Sequence, residues 1–257
     1  VRDSQVRAIV VRVDSSGGDG MASDLMYRAV LEAKKKKPVI ASMGDVAASG
    51  GYYVAMGADE VWAEPTTITG SIGVFVLKPA VEKLAGTLGV QHETIRRGPQ
   101  AGIFEIFEPW TPEQQKAAQN WVDDFYDVFI TEVALCRNVD KKAIDAVARG
   151  RVWSGADARD KGLVDQLGGL AQAIASAKGR AGLGGSTDVE VGLLGASGGI
   201  LGDAFAQSAV AKDLLTRPAQ AQTRLGQLEQ LAGELGVAAL PRPGAVQARM
   251  EFELKVR

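Results

Sequence analysis

The chain has few of the residues and segments on which several large classes of protein depend. It contains one cysteine and one histidine among 257 residues. A single cysteine cannot form an internal disulfide, which excludes a disulfide-stabilised scaffold. No run of apolar residues approaches the roughly 18 that a membrane-spanning helix needs. The 29 basic and 31 acidic side chains nearly cancel to a net charge of −2, so the charge gives no indication of a nucleic-acid partner.

The remaining composition is that of an ordinary globular protein, with 46% hydrophobic and 23% charged residues. A chain of 257 residues is long enough to bury a complete hydrophobic core. The sequence starts without methionine, in a segment that is typical of a strand. We therefore expect the chain to be part of a longer protein or a processed product.

The order of apolar segments predicts an α/β fold with a largely parallel sheet. Buried strands and amphipathic helices alternate through the first hundred residues. The predicted strands cover 6–13, 39–43, 60–63, 71–77 and 90–96, and the predicted helices cover 21–36, 52–56 and 79–88.

A long helix is predicted to follow, from a capping residue at Thr111 to about Arg137. Its spacing assigns six residues to the inward face: Trp121, Val122, Phe125, Val128, Phe129 and Val133. Shorter helices are predicted over 141–148, 155–161 and 168–178. A change of composition near residue 185 divides the chain into a first domain, 1–184, and an extension, 185–257, with predicted helices and a final strand over 247–256.

The most informative segment is GDVAASGGYYVAMGADEV, in which Ser49 lies between two alanines and two glycines. A strand is predicted before Ser49 and a helix soon after it, so the hydroxyl is expected at a sharp strand-to-helix turn. Glycines allow a substrate backbone to approach closely, and the amino end of a helix favours developing negative charge. The pattern predicts that Ser49 is a nucleophile for acyl transfer.

A serine nucleophile also needs main-chain amides that bind an oxyanion, and a general base. Gly50 follows Ser49 directly, and a second amide can come from the glycine turn at 15–18, because neighbouring parallel strands end at the same edge of a sheet. The base is not apparent. His92, the only histidine, lies in a predicted strand, and the lysines lie on predicted exposed helices or at their ends.

Four segments resemble one known family: VRVDSSGG, GDVAASGGYYVA, TTITGSIGV and RGRVWSGADARDKGLVDQLGG. On these segments the chain resembles, over about residues 6–179, the signal peptide peptidase A family of bacterial envelopes, also called protease IV. The last two segments are specific to that family and separate it from the Clp proteases and the crotonases.

The resemblance implies a Clp protease/crotonase-like spiral of repeated β-β-α units, followed by a helical extension. It assigns the nucleophile to Ser49, the oxyanion donors to Gly17 and Gly50, and substrate contacts to Gly18, Gly51 and Ser71. The implied activity is that of a serine endopeptidase, without metal or cofactor, that degrades cleaved signal peptides at the periplasmic face of the bacterial inner membrane. Such enzymes assemble as homo-oligomeric rings or domes, and a segment outside this chain would provide the membrane association.

Two positions differ from the family pattern. Ser16 replaces the proline of the glycine turn, and Ala101 stands about where short members of the family carry their general-base lysine. Long members consist of two homologous halves, of which the carboxyl-terminal half holds the serine and the amino-terminal half donates the lysine. The chain resembles that carboxyl-terminal half. We therefore expect a lysine from another segment or chain to serve Ser49, with the apolar stretch 102–107 packed near it.

Two other interpretations remain open at this point. A crotonase-like acyl-CoA enzyme would also use paired glycine amides, in that case to hold a thioester enolate. A non-catalytic assembly domain that has lost its base would form a stable oligomer without turnover.

Overall fold

The computed structural model describes residues 3–98, 100–185, 189–194 and 251–256. Its strands are β1 (Val6–Ser15), β2 (Val39–Ala48), β3 (Glu60–Ala63), β4 (Ile68–Gly70), β5 (Val152–Ser154), β6 (Gln166–Leu167), β7 (Val189–Leu194) and β8 (Glu251–Val256). Its helices are α1 (Gly20–Lys34), α2 (Gly50–Ala55), α3 (Glu82–Thr87), α4 (Pro112–Arg137), α5 (Lys141–Val147), α6 (Gly155–Asp160) and α7 (Leu170–Arg180).

Within the described residues the strands form one mixed sheet with the order β5-β4-β2-β1-β8-β7, and β3 pairs with β2 and β6. The pairs β1–β2, β2–β3, β2–β4 and β3–β6 are parallel. The pairs β1–β8, β4–β5 and β7–β8 are antiparallel. The predicted α/β class is confirmed, whereas the spiral of repeated units remains a prediction.

Strand β2 is longer than predicted and bends in its middle. Its first half pairs with β3, at Ile40–Ser42, and its second half pairs with β4, at Val46–Ala48. The register with β1 shifts in between, because Val13 lies opposite Met43 and Ser15 lies opposite Ala47. Two extra residues on β2 therefore curl the sheet where the strand runs towards Ser49.

Side chains of the central strands alternate between two helical layers. One face of β1 and β2 packs against α1, α2 and α4, in a buried cluster that includes Val13 and Met43 from the strands and Tyr53 and Phe129 from the helices. The other face packs against α7, where Val10 and Ile40 contact Ile174. Strands covered on both faces are expected to be almost continuously apolar, which explains why both were recognisable in the sequence.

Two predicted strands are wrong. Residues 71–77 form no regular element, because Gly70 and Ser71 both have positive φ angles, of 77° and 49°, and turn the chain out of β4. Residues 90–96 are also irregular; Ile95 is 95% exposed, and no described strand pairs with this segment. Apolar alternation alone indicated strands here, but a strand forms only where a partner edge is in reach.

Helix α4 confirms the predicted long helix, and Thr111 and Gln114 form a reciprocal capping box at its start. The predicted inward face is wrong at two positions, since Trp121 and Val128 are exposed, whereas Phe129 and Val133 are buried. The inward stripe is narrower than the sequence pattern indicated because only part of the helix lies over the core.

The extension is described in part. The final strand is found as β8, whereas the helices predicted after residue 202 and up to residue 240 lie outside the described residues. The proposed boundary near residue 185 stays a prediction. In the part of the chain that the structure describes, no helix combines the length and the apolar character needed to cross a membrane.

Candidate active site

Ser49 occupies a strained turn between the end of β2 and the start of α2. Its φ and ψ are 51° and −118°, a combination that side-chain-bearing residues rarely adopt. Its N–H donates to Gly70 O at 2.9 Å, which ties the turn to the end of β4. Within the described residues the hydroxyl has no hydrogen-bond partner and the residue is only half-buried. This is the geometry expected of an exposed nucleophile on a rigid strand-to-helix turn.

Helix α2 is anchored firmly behind Ser49. Tyr52 and Tyr53 are buried at 0% and 1% exposure. The Tyr52 hydroxyl donates to Leu163 O at 2.9 Å, and the Tyr53 ring packs 4.6 Å from that of Phe129. Burial raises the pKa of both phenols, so they remain neutral donors at physiological pH. The turn is therefore followed by a helix that is tightly packed into the core.

The glycine turn after β1 lies directly against Ser49, as predicted. A Cβ built on Gly17 would lie 2.8 Å from Ser49 Cβ and 2.9 Å from Gly50 N. One on Gly50 would lie 3.3 Å from Gly18 N, and one on Gly51 would lie 2.7 Å from Ser15 O. The closest atom to a Cβ on Gly50 would be Ser23 Oγ, so each of these three glycines has its side-chain space filled by neighbouring backbone or side-chain atoms.

The amides of this cluster are not equivalent. Gly17 N–H donates to Ser15 Oγ at 3.1 Å and is thus engaged. Gly18 N–H and Gly50 N–H have no acceptor among the described residues. Free main-chain amides beside a serine hydroxyl can bind an oxyanion.

Ser71 lies next to Ser49 at the same edge of the sheet, because Ala48 and Gly70, the residues before them, are register partners. Its φ of 49° is the second strained value at this edge, and its N–H donates to Arg151 O at 2.7 Å. The structure therefore brings Ser71 together with Gly17, Gly18, Ser49, Gly50 and Gly51.

No base belongs to this cluster among the described residues. The His92 ring stacks on Phe107 at 4.3 Å and makes no bond to Ser49. Ala101 lies in a turn and donates to Gly98 O. Two of the lysines are engaged elsewhere: the Lys34 ammonium donates to Ala58 O, and that of Lys161 lies 4.2 Å from the centre of the Trp153 ring.

One group of potential metal ligands occurs in the described residues, formed by His92, Glu105 and Glu108. The Arg96 guanidinium pairs with both carboxylates, at 3.1 and 2.8 Å. Both carboxylates are thus already engaged by the Arg96 cation, and the cluster is not evidence for a metal centre.

Three polar side chains that the sequence analysis did not single out hold the bend of β2. Arg12 donates to Met43 O at 2.7 Å, and Thr67 donates to Gly44 O at 2.8 Å. Asp14 accepts from Val46 N–H at 3.3 Å. They satisfy backbone groups that the bend removes from strand pairing. Burial lowers the pKa of Arg12, against the opposing field of Asp14. In sequence these residues look like ordinary polar positions.

Fold and site together define an α/β domain that presents a serine hydroxyl at a strained turn beside available main-chain amides. The sequence model of peptidase family S49 matches residues 32–184, which is more than half of the chain. The chain therefore belongs to peptidase family S49. This result confirms the family resemblance found in the sequence.

Several curated relatives are similar over the same part of the chain. "Serine protease SPPA, chloroplastic" from Arabidopsis thaliana is 45% identical over 183 residues, which cover 70% of this chain and 27% of the relative. "Protease 4" from Salmonella typhi is 42% identical over 177 residues, or 68% of this chain and 28% of the relative. "Protease 4" from Haemophilus influenzae is 37% identical over 177 residues, which cover 68% of this chain and 29% of the relative. The matched part thus spans little more than a quarter of these proteins.

Proposed function

We propose that the chain is the nucleophile-bearing part of a serine peptidase, with Ser49 as the nucleophile. The observation that carries this proposal is the strained turn at Ser49, which exposes an unpartnered hydroxyl beside the amides of Gly18 and Gly50. Membership of peptidase family S49 and the names of the relatives support the same reaction.

In the proposed reaction Ser49 Oγ attacks the carbonyl carbon of a peptide bond, and its proton passes to a general base. The carbonyl oxygen gains the negative charge and accepts hydrogen bonds from main-chain amides. The base then protonates the leaving amine as the C–N bond breaks. Water hydrolyses the resulting ester and regenerates the Ser49 hydroxyl.

Gly50 is one proposed oxyanion donor. Gly17 remains the predicted second donor from the sequence, but its N–H is engaged by Ser15. We therefore propose Gly18 as the more suitable second donor, since its amide is free and lies against Gly50. The loss of one such donor typically costs about 100- to 1,000-fold in rate.

The proposed base is a lysine from another segment or chain, as the resemblance to the carboxyl-terminal half of the long family members implies. Ser49 has no described side chain within hydrogen-bond reach that could accept its proton. A lysine can act as a base at neutral pH only if burial lowers its pKa. A donated lysine would acquire such burial when its own segment covers the open side of Ser49.

The proposed substrates are peptides, including cleaved signal peptides at the periplasmic face of the bacterial inner membrane. The proposed partners are further copies of the chain, in a ring or dome, and a lysine-bearing half. The described residues 72–98 and 100–108 support an assembly, because they expose large apolar side chains such as Phe75, Leu77, Ile95 and Phe104. The bend of β2 supports, in addition, the proposed Clp protease/crotonase-like spiral.

Labelling with a fluorophosphonate probe tests this proposal. The chain is mixed with its proposed lysine-bearing half, and incorporation is compared between wild type, Ser49→Ala and Ser71→Ala. We expect wild type to be labelled and Ser49→Ala to lose labelling completely. Without the added half the chain should be nearly inactive, because a general base contributes about 100- to 10,000-fold to the rate. Labelling that persists in Ser49→Ala would contradict the assignment.

The two alternatives give different results in the same setting. An acyl-CoA enzyme would bind coenzyme A in a titration, which the proposed peptidase does not. A non-catalytic assembly domain would form a stable oligomer with the added half and would remain unlabelled.

A further inference from the structure

The last residue of β1, Ser15, contacts both peptide groups that flank Gly17. Its Oγ accepts from Gly17 N–H at 3.1 Å and donates weakly to Gly17 O at 3.5 Å. Gly17 has no Cβ to restrict the rotation of these peptide groups, and its φ of 112° is one that glycine adopts readily. The Ser15 hydroxyl is therefore the described side chain that fixes their orientation.

The orientation of Gly17 O determines where the next amide points. Gly17 O and Gly18 N–H belong to one trans peptide group, in which the C=O and the N–H point in opposite directions. A carbonyl drawn towards Ser15 thus directs Gly18 N–H away from Ser15. Gly50 packs against this turn: a Cβ built on Gly50 would lie 3.3 Å from Gly18 N and 3.4 Å from Gly17 Cα.

Ser15 is itself held in place by the nucleophile turn. It is in register with Ala47, two residues before Ser49. Gly51 packs on the Ser15 main chain so closely that a Cβ at Gly51 would lie 2.7 Å from Ser15 O. The hydroxyl, the glycine turn and the serine turn thus form one rigid unit.

We propose that Ser15 is a positioning residue that selects Gly18 N–H, rather than Gly17 N–H, as the amide presented to the oxyanion at Ser49. This inference rests on the proposed peptidase function. The Ser15 hydroxyl does not touch the substrate; it removes the Gly17 amide from competition and aims the Gly18 amide.

Ser15→Ala and Ser16→Ala form a matched pair that tests the proposal in the assembled enzyme with its lysine-bearing half. Both remove one hydroxyl from the same turn, but Ser16 is exposed and makes no described hydrogen bond. We expect Ser15→Ala to lower kcat about 10- to 100-fold, short of the full loss of an oxyanion donor. KM should be unchanged, because binding of the ground state does not use these amides. Ser16→Ala should resemble wild type, and Ser15→Thr should restore most of kcat.

A short peptide boronate gives a readout that a merely structural role would not change. Its tetrahedral adduct with Ser49 places an oxygen where the oxyanion forms, so its affinity should fall in Ser15→Ala in parallel with kcat, at an unchanged thermal midpoint. Equal kcat in Ser15→Ala and Ser16→Ala would overturn the proposal. A loss accompanied by a lower thermal midpoint and a proportionate rise in KM would also overturn it, because it would show general destabilisation. A wild-type enzyme without turnover or labelling would overturn the peptidase function, and this inference with it.

Discussion

At Ser49 the backbone holds a conformation that costs about 1–3 kcal/mol for a residue with a side chain. The surrounding contacts maintain this strain: Gly17 fills the space beside the Ser49 Cβ, and the Ser49 N–H is fixed by Gly70 O. Relaxation of the turn would bury the hydroxyl or break these contacts. The strained backbone and the neighbouring glycines thus both keep the Ser49 hydroxyl exposed and in a fixed direction.

Gly17→Ala tests this crowding. The new methyl group would lie 2.8 Å from Ser49 Cβ and 2.9 Å from Gly50 N, at a φ of 112°. We expect at least a tenfold loss of fluorophosphonate labelling and a free energy of unfolding lower by about 1–3 kcal/mol. Gly86→Ala in α3 is the control, since a Cβ there meets no atom within 4 Å and alanine is the better helix former. Full labelling of Gly17→Ala would refute the crowded geometry.

The sequence was sufficient to predict Ser49, Gly17 and Gly50 as neighbours, because small residues at two successive strand ends form a local and recognisable pattern. It was not sufficient to predict which amide is free. The hydrogen bond from Gly17 N–H to Ser15 depends on the rotation of two peptide groups, and the residue types do not determine that rotation.

At the scale of elements, the bend of β2 determines where Ser49 lies. The strand leaves β3 after Ser42 and joins β4 at Val46, and three side chains from other elements satisfy the backbone groups between. The sequence predicted β3 with its observed bounds, but it ended β2 at Met43 and placed the next strand at 71–77. The first error arises at the bend, where the register is set by contacts between distant residues. The second arises at the turn of Gly70 and Ser71, whose positive φ angles lead the chain out of β4.

Thr67→Val tests the support of the bend. Thr67 is 2% exposed, and its hydroxyl donates to Gly44 O and accepts from Glu64 N–H, at 2.8 and 3.1 Å. Valine has nearly the same shape but cannot form either hydrogen bond, so Gly44 O and Glu64 N–H lose this partner. We therefore expect the free energy of unfolding in urea to fall by about 1–3 kcal/mol. The control is Thr131→Val in α4, whose hydroxyl donates to Asp127 O within the same helix, and there the change should be within about 0.5 kcal/mol. Equal effects of the two variants would argue against a stabilised bend.

At the scale of the whole molecule, the described residues combine a well-packed core with an unusually apolar surface segment. Phe75 and Leu77 are 86% and 82% exposed, directly after the strained turn at Ser71. Burial of such side chains is worth about 1.5–3 kcal/mol each. The proposed assembly would bury them and would place another polypeptide near the open side of Ser49.

A double variant, Phe75→Ser with Leu77→Ser, tests the proposed assembly by sedimentation velocity. We expect wild type to sediment as an oligomer. In the variant the dissociation constant of the oligomer should be at least tenfold higher, with an unchanged thermal midpoint. Leu135→Ser, at a side chain that is 69% exposed on α4, is the control and should leave assembly unaffected. A wild-type chain that stays monomeric at high concentration would contradict the role of this segment.

In the proposed mechanism Ser49 Oγ attacks a carbonyl whose oxygen is then held by main-chain amides of Gly18 and Gly50. A crystal structure of the chain with its proposed lysine-bearing half and a bound peptide boronate measures this directly. We expect a covalent bond from Ser49 Oγ to boron, with one boronate oxygen about 2.7–3.1 Å from both amide nitrogens. A boronate bound to another residue, or bound to Ser49 with its oxygens turned away from both amides, would contradict it.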